Sequence, residues 1–115
     1  MIPYPQALEA LPSVPGGYSL RVEPGHPAFS GHFPGQPILS GLIQVDWAAR
    51  LGEETFGPLG CFRGLEHLKF QSPILPDEPL ELRLDWEPAA RQLRFRYIGS
   101  HGPKSGGTLV YTPAP

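Results

Sequence analysis

Residues 29–50 read FSGHFPGQPILSGLIQVDWAAR, and this stretch decides how the rest of the chain is arranged. A loop dense in glycine and proline carries one histidine, His32, and runs into an apolar segment carrying one carboxylate, Asp46. Turning 100° per residue, Leu42, Ile43, Val45, Trp47, Ala48, Ala49 and Leu51 cover nearly the whole circumference, which predicts a helix buried on all sides. Ser40 is the expected N-cap and Gly52 the expected stop. Gly41 falls where a helix leaves its backbone N–H groups unpaired. A base, an acid and an oxyanion site in one short segment fit acyl-thioester chemistry.

Outward from this stretch the pattern changes period. Tyr18 to Glu23 alternates and predicts a first strand, ended by Pro24-Gly25. Gly25 to Pro37 is a loop whose glycines and prolines restrict or redirect the backbone. Cys61 to Gln71 alternates imperfectly, which predicts a bulged strand. Leu80 to Trp86 and Leu93 to Tyr97 alternate strictly and are joined by a hairpin at Pro88–Arg91. Thr108 to Thr112 is the last expected strand, reached through a loop from Gly99 to Gly107. One helix followed by a run of antiparallel strands predicts an α+β fold, with the sheet wrapped around the helix. Residues 1–17 are proline-rich and read as a mostly irregular arm with one helical turn, leaving 18–115 as a single domain.

Composition narrows the function classes. A chain of 115 residues is the size of one domain. Sixteen prolines and fourteen glycines approach the content of disordered sequences, but they lie between apolar, aromatic-containing segments and read as turn chemistry. A formal net charge of -2 argues against a nucleic-acid partner. No apolar run is long enough to cross a membrane and no signal peptide is evident. The single cysteine, Cys61, has no internal partner for a disulfide or a cysteine zinc site, which fits a cytoplasmic protein.

The residues Gly31-His32-Phe33-Pro34, then Pro37, Gly41 and an acid fourteen positions after the histidine resemble the 3-hydroxyacyl-acyl-carrier-protein dehydratases of the FabA/FabZ type, which have the hotdog fold. A second block, Leu68-Lys69-Phe70, Pro73 and Pro76-Asp77, resembles the same family. The run Gln44 to Ala48 is similar to the small dehydratases of aryl-polyene pathways. The resemblance spans Tyr18 to Tyr111. Ser40 stands where the family usually has proline, and the chain is shorter than most members.

This resemblance implies conversion of a 3-hydroxyacyl thioester to a trans-2-enoyl thioester, in fatty-acid or polyene-type biosynthesis. The substrate would be carried on the phosphopantetheine of an acyl carrier protein or on coenzyme A, with no other cofactor and no metal. His32 would be the base and the Gly41 N–H the oxyanion donor. Asp46 would hold the 3-hydroxyl and supply its departing proton, kept protonated by burial. Phe33, Pro34 and Leu42 would contact the acyl group. The histidine and the acid of one site come from different subunits in this family, so the resemblance implies a homodimer with shared sites, alone or within a larger assembly.

Each residue has a plainer reading. His32 could bond to loop backbone, Asp46 could pair with Arg50 on a wet helix face, and Gly41 could be a packing glycine. Gln44 reads as a satisfied core amide, and His26, His67 and His101 as structural or surface residues. Arg91, Arg94 and Arg96 form a basic strand face, either solvated or a dock for an acidic carrier protein. A thioesterase on the same fold, and a non-catalytic acyl-binding module, are the competing functions.

Overall fold

The computed structural model describes residues 1–30 and 35–115. Six strands and one long helix follow in the order β1 (Ala7–Ala10), β2 (Gly17–Arg21), α1 (Gly41–Phe56), β3 (Cys61–Phe70), β4 (Leu80–Glu87), β5 (Gln92–Gly99) and β6 (Gly102–Thr112). The strands form one antiparallel sheet in the order β1-β2-β4-β5-β6-β3, and α1 packs on its inner face against β4 and β5. This is the hotdog arrangement.

Strict alternation explains the sheet's centre. Leu80, Leu82 and Leu84 of β4 and Leu93, Phe95 and Tyr97 of β5 point inward and are buried, with Trp47, Ala48 and Leu51 of α1 in the same core. The β4–β5 turn lies at Pro88–Arg91, as the sequence predicts, and Arg91 closes it with a positive φ of 52°. The predicted irregularity in β3 is present as two register shifts against β6, the second placing His67 at φ 55°.

Four expectations are corrected. The arm holds a strand, β1, rather than a helical turn, because Ala7–Ala10 pairs with β2 in register from Ala7↔Arg21 to Ala10↔Tyr18. The segment read as a loop from Gly99 is mostly strand. Gly102 turns the chain at φ 133°, and β6 then pairs with β5 on one side and β3 on the other. Ladders on both edges override the poor strand propensity of Gly102-Pro103-Lys104-Ser105-Gly106-Gly107.

The helix does not stop at Gly52. A methyl group there would lie 2.5 Å from Cδ2 of Leu93, so this glycine permits close helix–strand packing, and α1 ends at Gly57 with φ 85°. Nor is α1 covered all round within one chain. Gln44, Val45, Trp47, Ala48, Leu51 and Gly52 form the buried side, while Leu42 is 80% exposed. Apolar periodicity does not distinguish a surface covered by the chain's own core from one left for something else to cover.

Candidate active site

The start of α1 is set by Ser40. Its backbone is extended (φ -66°, ψ 148°), and its Oγ accepts from the Ile43 N–H at 3.2 Å. Serine therefore caps the helix, as the sequence predicts. No described residue accepts from the N–H of Gly41 or Leu42. These are the donors a developing oxyanion would use, and the helix dipole adds to their pull.

The helix start is held from below by a buried polar network. Gln44 Oε1 accepts from Ser105 Oγ at 2.6 Å, and Gln44 Nε2 donates to the Leu39 carbonyl at 3.0 Å. The buried Tyr97 hydroxyl donates to the main-chain carbonyl of Gln44 at 2.7 Å. Gln44 is thus a satisfied core amide, as its sequence context suggests, and its bonds tie α1 to β5 and β6. Burial pushes the Tyr97 phenol well above its ordinary range, with the nearby Asp46 charge acting in the same direction.

Two hollows border the helix. One, of about 640 Å³, runs along its open side and is lined by Leu42, Asp46, Arg50, Glu53, Glu54 and Tyr111 among others. The other, of about 470 Å³, is lined by Ile38, Ser40, Gly41, Gln44, Phe70 and Pro73 among others. Asp46 and Leu42 therefore share one hollow, and Gly41 opens on the other. Within a single chain they do not meet in one cavity. His32, Phe33 and Pro34 lie outside the described residues.

Asp46 differs from expectation. Its side chain is 46% exposed and its Oδ2 is engaged by Arg50, with Nε at 3.1 Å and Nη2 at 3.0 Å. The burial expected to keep it protonated is absent in the single chain, because the open face of α1 lies beside it rather than against the sheet. The ion pair with Arg50, the plainer reading of this residue, is present.

The other histidines and the arginines of the expected basic face have these places. His26 is buried, its Nδ1 accepting from the Ala28 N–H at 3.0 Å, so its proton sits on Nε2, facing the Tyr4 carbonyl at 3.2 Å. His67 occupies the bulge in β3, and His101 is exposed in the turn between β5 and β6. Arg91 is not part of the basic strand face, since it lies in the β4–β5 turn and donates to the Leu59 carbonyl at 2.8 Å. Arg94 and Arg96 are exposed on the sheet's outer face.

Sequence reasoning missed the aromatic neighbour of Gly41. A methyl group at Gly41 would lie 2.4 Å from Cζ of Phe70, so the ring of the last β3 residue rests on the helix start. Phe70 belongs to the second family-like block, but its position there carries no sign of which helix residue it meets.

Comparison with known proteins gives the family. The chain spans about half the length of the curated relatives it matches. It is 35% identical over 86 residues to a 3-hydroxyacyl-[acyl-carrier-protein] dehydratase FabZ of Acetivibrio thermocellus, covering 58% of this chain and 59% of that one. It is 40% identical over 78 residues to the FabZ of Erythrobacter litoralis, covering 59% of this chain and 52% of that one. Among solved structures, the dehydratase heterocomplex ApeI:P of Xenorhabdus doucetiae superposes with a TM-score of 0.80 at 30% identity, over 96% of this chain and 97% of that one. An uncharacterized protein of Erwinia carotovora subsp. atroseptica gives 0.77 at 31% identity, over 98% of each chain. The family described as ApeI dehydratase matches residues 17–108, and on that match the chain belongs to the ApeI-like dehydratases.

Proposed function

We propose that the chain is a 3-hydroxyacyl-thioester dehydratase, acting on acyl groups carried by an acyl carrier protein or coenzyme A. The observation that carries this reading is a free helix N-terminus at Gly41 with a carboxylate, Asp46, a little over one turn further on beside an open apolar hollow. In the reaction His32 takes a proton from C2, and charge moves onto the thioester oxygen, where the Gly41 N–H receives it. The C3–O bond breaks, and Asp46 holds the departing hydroxyl and gives it a proton. The products are the trans-2-enoyl thioester and water.

The working unit is a homodimer with shared sites. Support comes from β3, which pairs only with β6 and leaves its other edge unpaired among the described residues. Phe62 and Phe70 on that edge strand are 54% and 50% exposed. A long apolar edge is a pairing surface, and a second copy would also cover the open side of α1. The similar ApeI:P structure is a heterocomplex, so a related chain in place of the second copy is the other occupant to look for. No helix among the described residues is long and apolar enough to cross a membrane. The biological setting proposed is aryl-polyene assembly in the cytoplasm.

The test is a set of 3-hydroxyacyl-pantetheine thioesters with products read by mass spectrometry. Dehydration gives a product lighter by one water with its thioester intact. Release of free thiol would mean thioester hydrolysis, and binding without any product would mean an acyl-binding module. Either result would overturn the proposal.

A further inference from the structure

Arg50 makes more contacts than an ion pair on an open helix face requires. An i,i+4 pair between solvated side chains is a weak contact that leaves both free to move. Here Nε and Nη2 both reach Asp46 Oδ2, and Nη2 also donates to the main-chain carbonyl of Ile2. The guanidinium carbon stands 4.5 Å from the centre of the Tyr4 ring. The Tyr4 hydroxyl is in turn bonded to Glu54, one turn beyond Arg50 on the same helix. Arg50 is correspondingly less exposed than the acid it holds, 22% against 46%.

These contacts come from two segments far apart in sequence and converge on the Arg50 guanidinium, which in turn holds one oxygen of Asp46. Oδ1 of Asp46 accepts from no described residue. We infer that Arg50 is a positioning residue for Asp46, and that the Ile2–Tyr4 segment is a strap holding Arg50 in place, so that Oδ1 is the oxygen presented to the substrate's 3-hydroxyl. The inference rests on the proposed role of Asp46. Its physical content is preorganisation: with its χ angles held by Arg50, the carboxyl does not have to be ordered again at each turnover.

Steady-state kcat and KM of Arg50→Ala, Arg50→Lys, Tyr4→Ala and the Arg50→Ala/Tyr4→Ala pair test it on a 3-hydroxyacyl-pantetheine thioester, with Asp46→Asn alongside. Arg50→Ala should lower kcat by about 10–100-fold with KM changed less than about two-fold, since misplacing a reacting group by an ångström costs of that order. Arg50→Lys should keep part of the activity. Tyr4→Ala should lower kcat by less than Arg50→Ala, and should add nothing in the Arg50→Ala background, because both remove one latch. If Arg50→Ala does not fold, Arg50→Gln carries the same expectations. Wild-type kcat in the Arg50 variants, with Asp46→Asn inactive, would overturn the positioning role. Additive losses in the double variant would overturn the strap. Full turnover by Asp46→Asn would refute the role of Asp46 itself, and is told apart from the other results by which variant remains active.

Discussion

The ring of Phe70 rests on Gly41, with its Cζ 2.4 Å from where a side-chain carbon would begin. Gly41 is therefore both a packing glycine and the residue whose N–H lies at the open end of α1. The two roles separate by experiment. Because Phe70 is half exposed, its ring can swing outward, so Gly41→Ala should cost no more than about 1 kcal/mol of stability, the low end for added core volume. Turnover should fall by about 10²–10³-fold, the scale of losing one oxyanion donor. Combining it with Phe70→Ala frees the space for the methyl group but not the approach to the N–H. The double variant should therefore regain stability in a urea melt and stay inactive. Recovery of turnover would make Gly41 a packing residue alone.

The network below the helix start should report as stability. Ser105→Ala leaves Gln44 Oε1 buried without its donor, and should cost about 1–3 kcal/mol. Tyr97→Phe removes a donor from a carbonyl that lies within the helix, and should cost about 1 kcal/mol. Urea denaturation of each variant measures both. Equal or smaller loss for Ser105→Ala would mean that water replaces its hydroxyl.

Alkali should unfold the protein through its tyrosines. Burial pushes the Tyr111 phenol up to about 12 from its ordinary 10.0, and raises Tyr97 and Tyr4 as well. The folded state then keeps protons that the unfolded chain gives up first. Stability from these groups is fully present below about pH 10 and is lost as pH rises from there through the folded values. Urea midpoints should be flat approaching pH 10 and fall beyond it, and Tyr111→Phe should flatten the fall. A midpoint that rises with alkali would contradict the burial of these rings.

The edge strand should govern assembly. Replacing Leu65 of β3, which is 39% exposed, by lysine places a charge in the middle of the apolar row without disturbing the core. Sedimentation should show a monomer, with turnover lost because each site is incomplete. A monomeric but fully active Leu65→Lys would remove the need for a shared site.

The centre of the fold was legible because strict alternation at Leu80–Trp86 and Leu93–Tyr97 has one physical meaning, a strand buried on one face. The helix start was legible because Ser40-Gly41 combines a cap with an unpaired N–H. What failed depended on partners distant in sequence. β1 and the first half of β6 have poor strand propensity and exist through their ladders. Gly52 reads as a stop and is a contact with Leu93. For Asp46 the surrounding apolar residues suggested burial, but Leu42 and Ala49 line an open hollow within one chain. Arg50 was recognisable as a salt-bridge partner, while its contacts with Ile2 and Tyr4 join positions 48 and 46 residues apart and leave no local signal.

The most direct measurement of the central claim mixes two inactive subunits. His32→Ala and Asp46→Ala each remove one group, and each alone should lose about 10²–10⁴-fold in turnover. The two are co-expressed with different tags so that heterodimers can be identified and purified. If His32 of one subunit works with Asp46 of the other, one site of the heterodimer collects both substitutions and the other collects neither. With random mixing, half of the dimers carry one intact site of two, so the mixture should recover roughly a quarter of wild-type turnover in a closed two-fold dimer. Purified heterodimers with no more activity than either single variant would contradict the account.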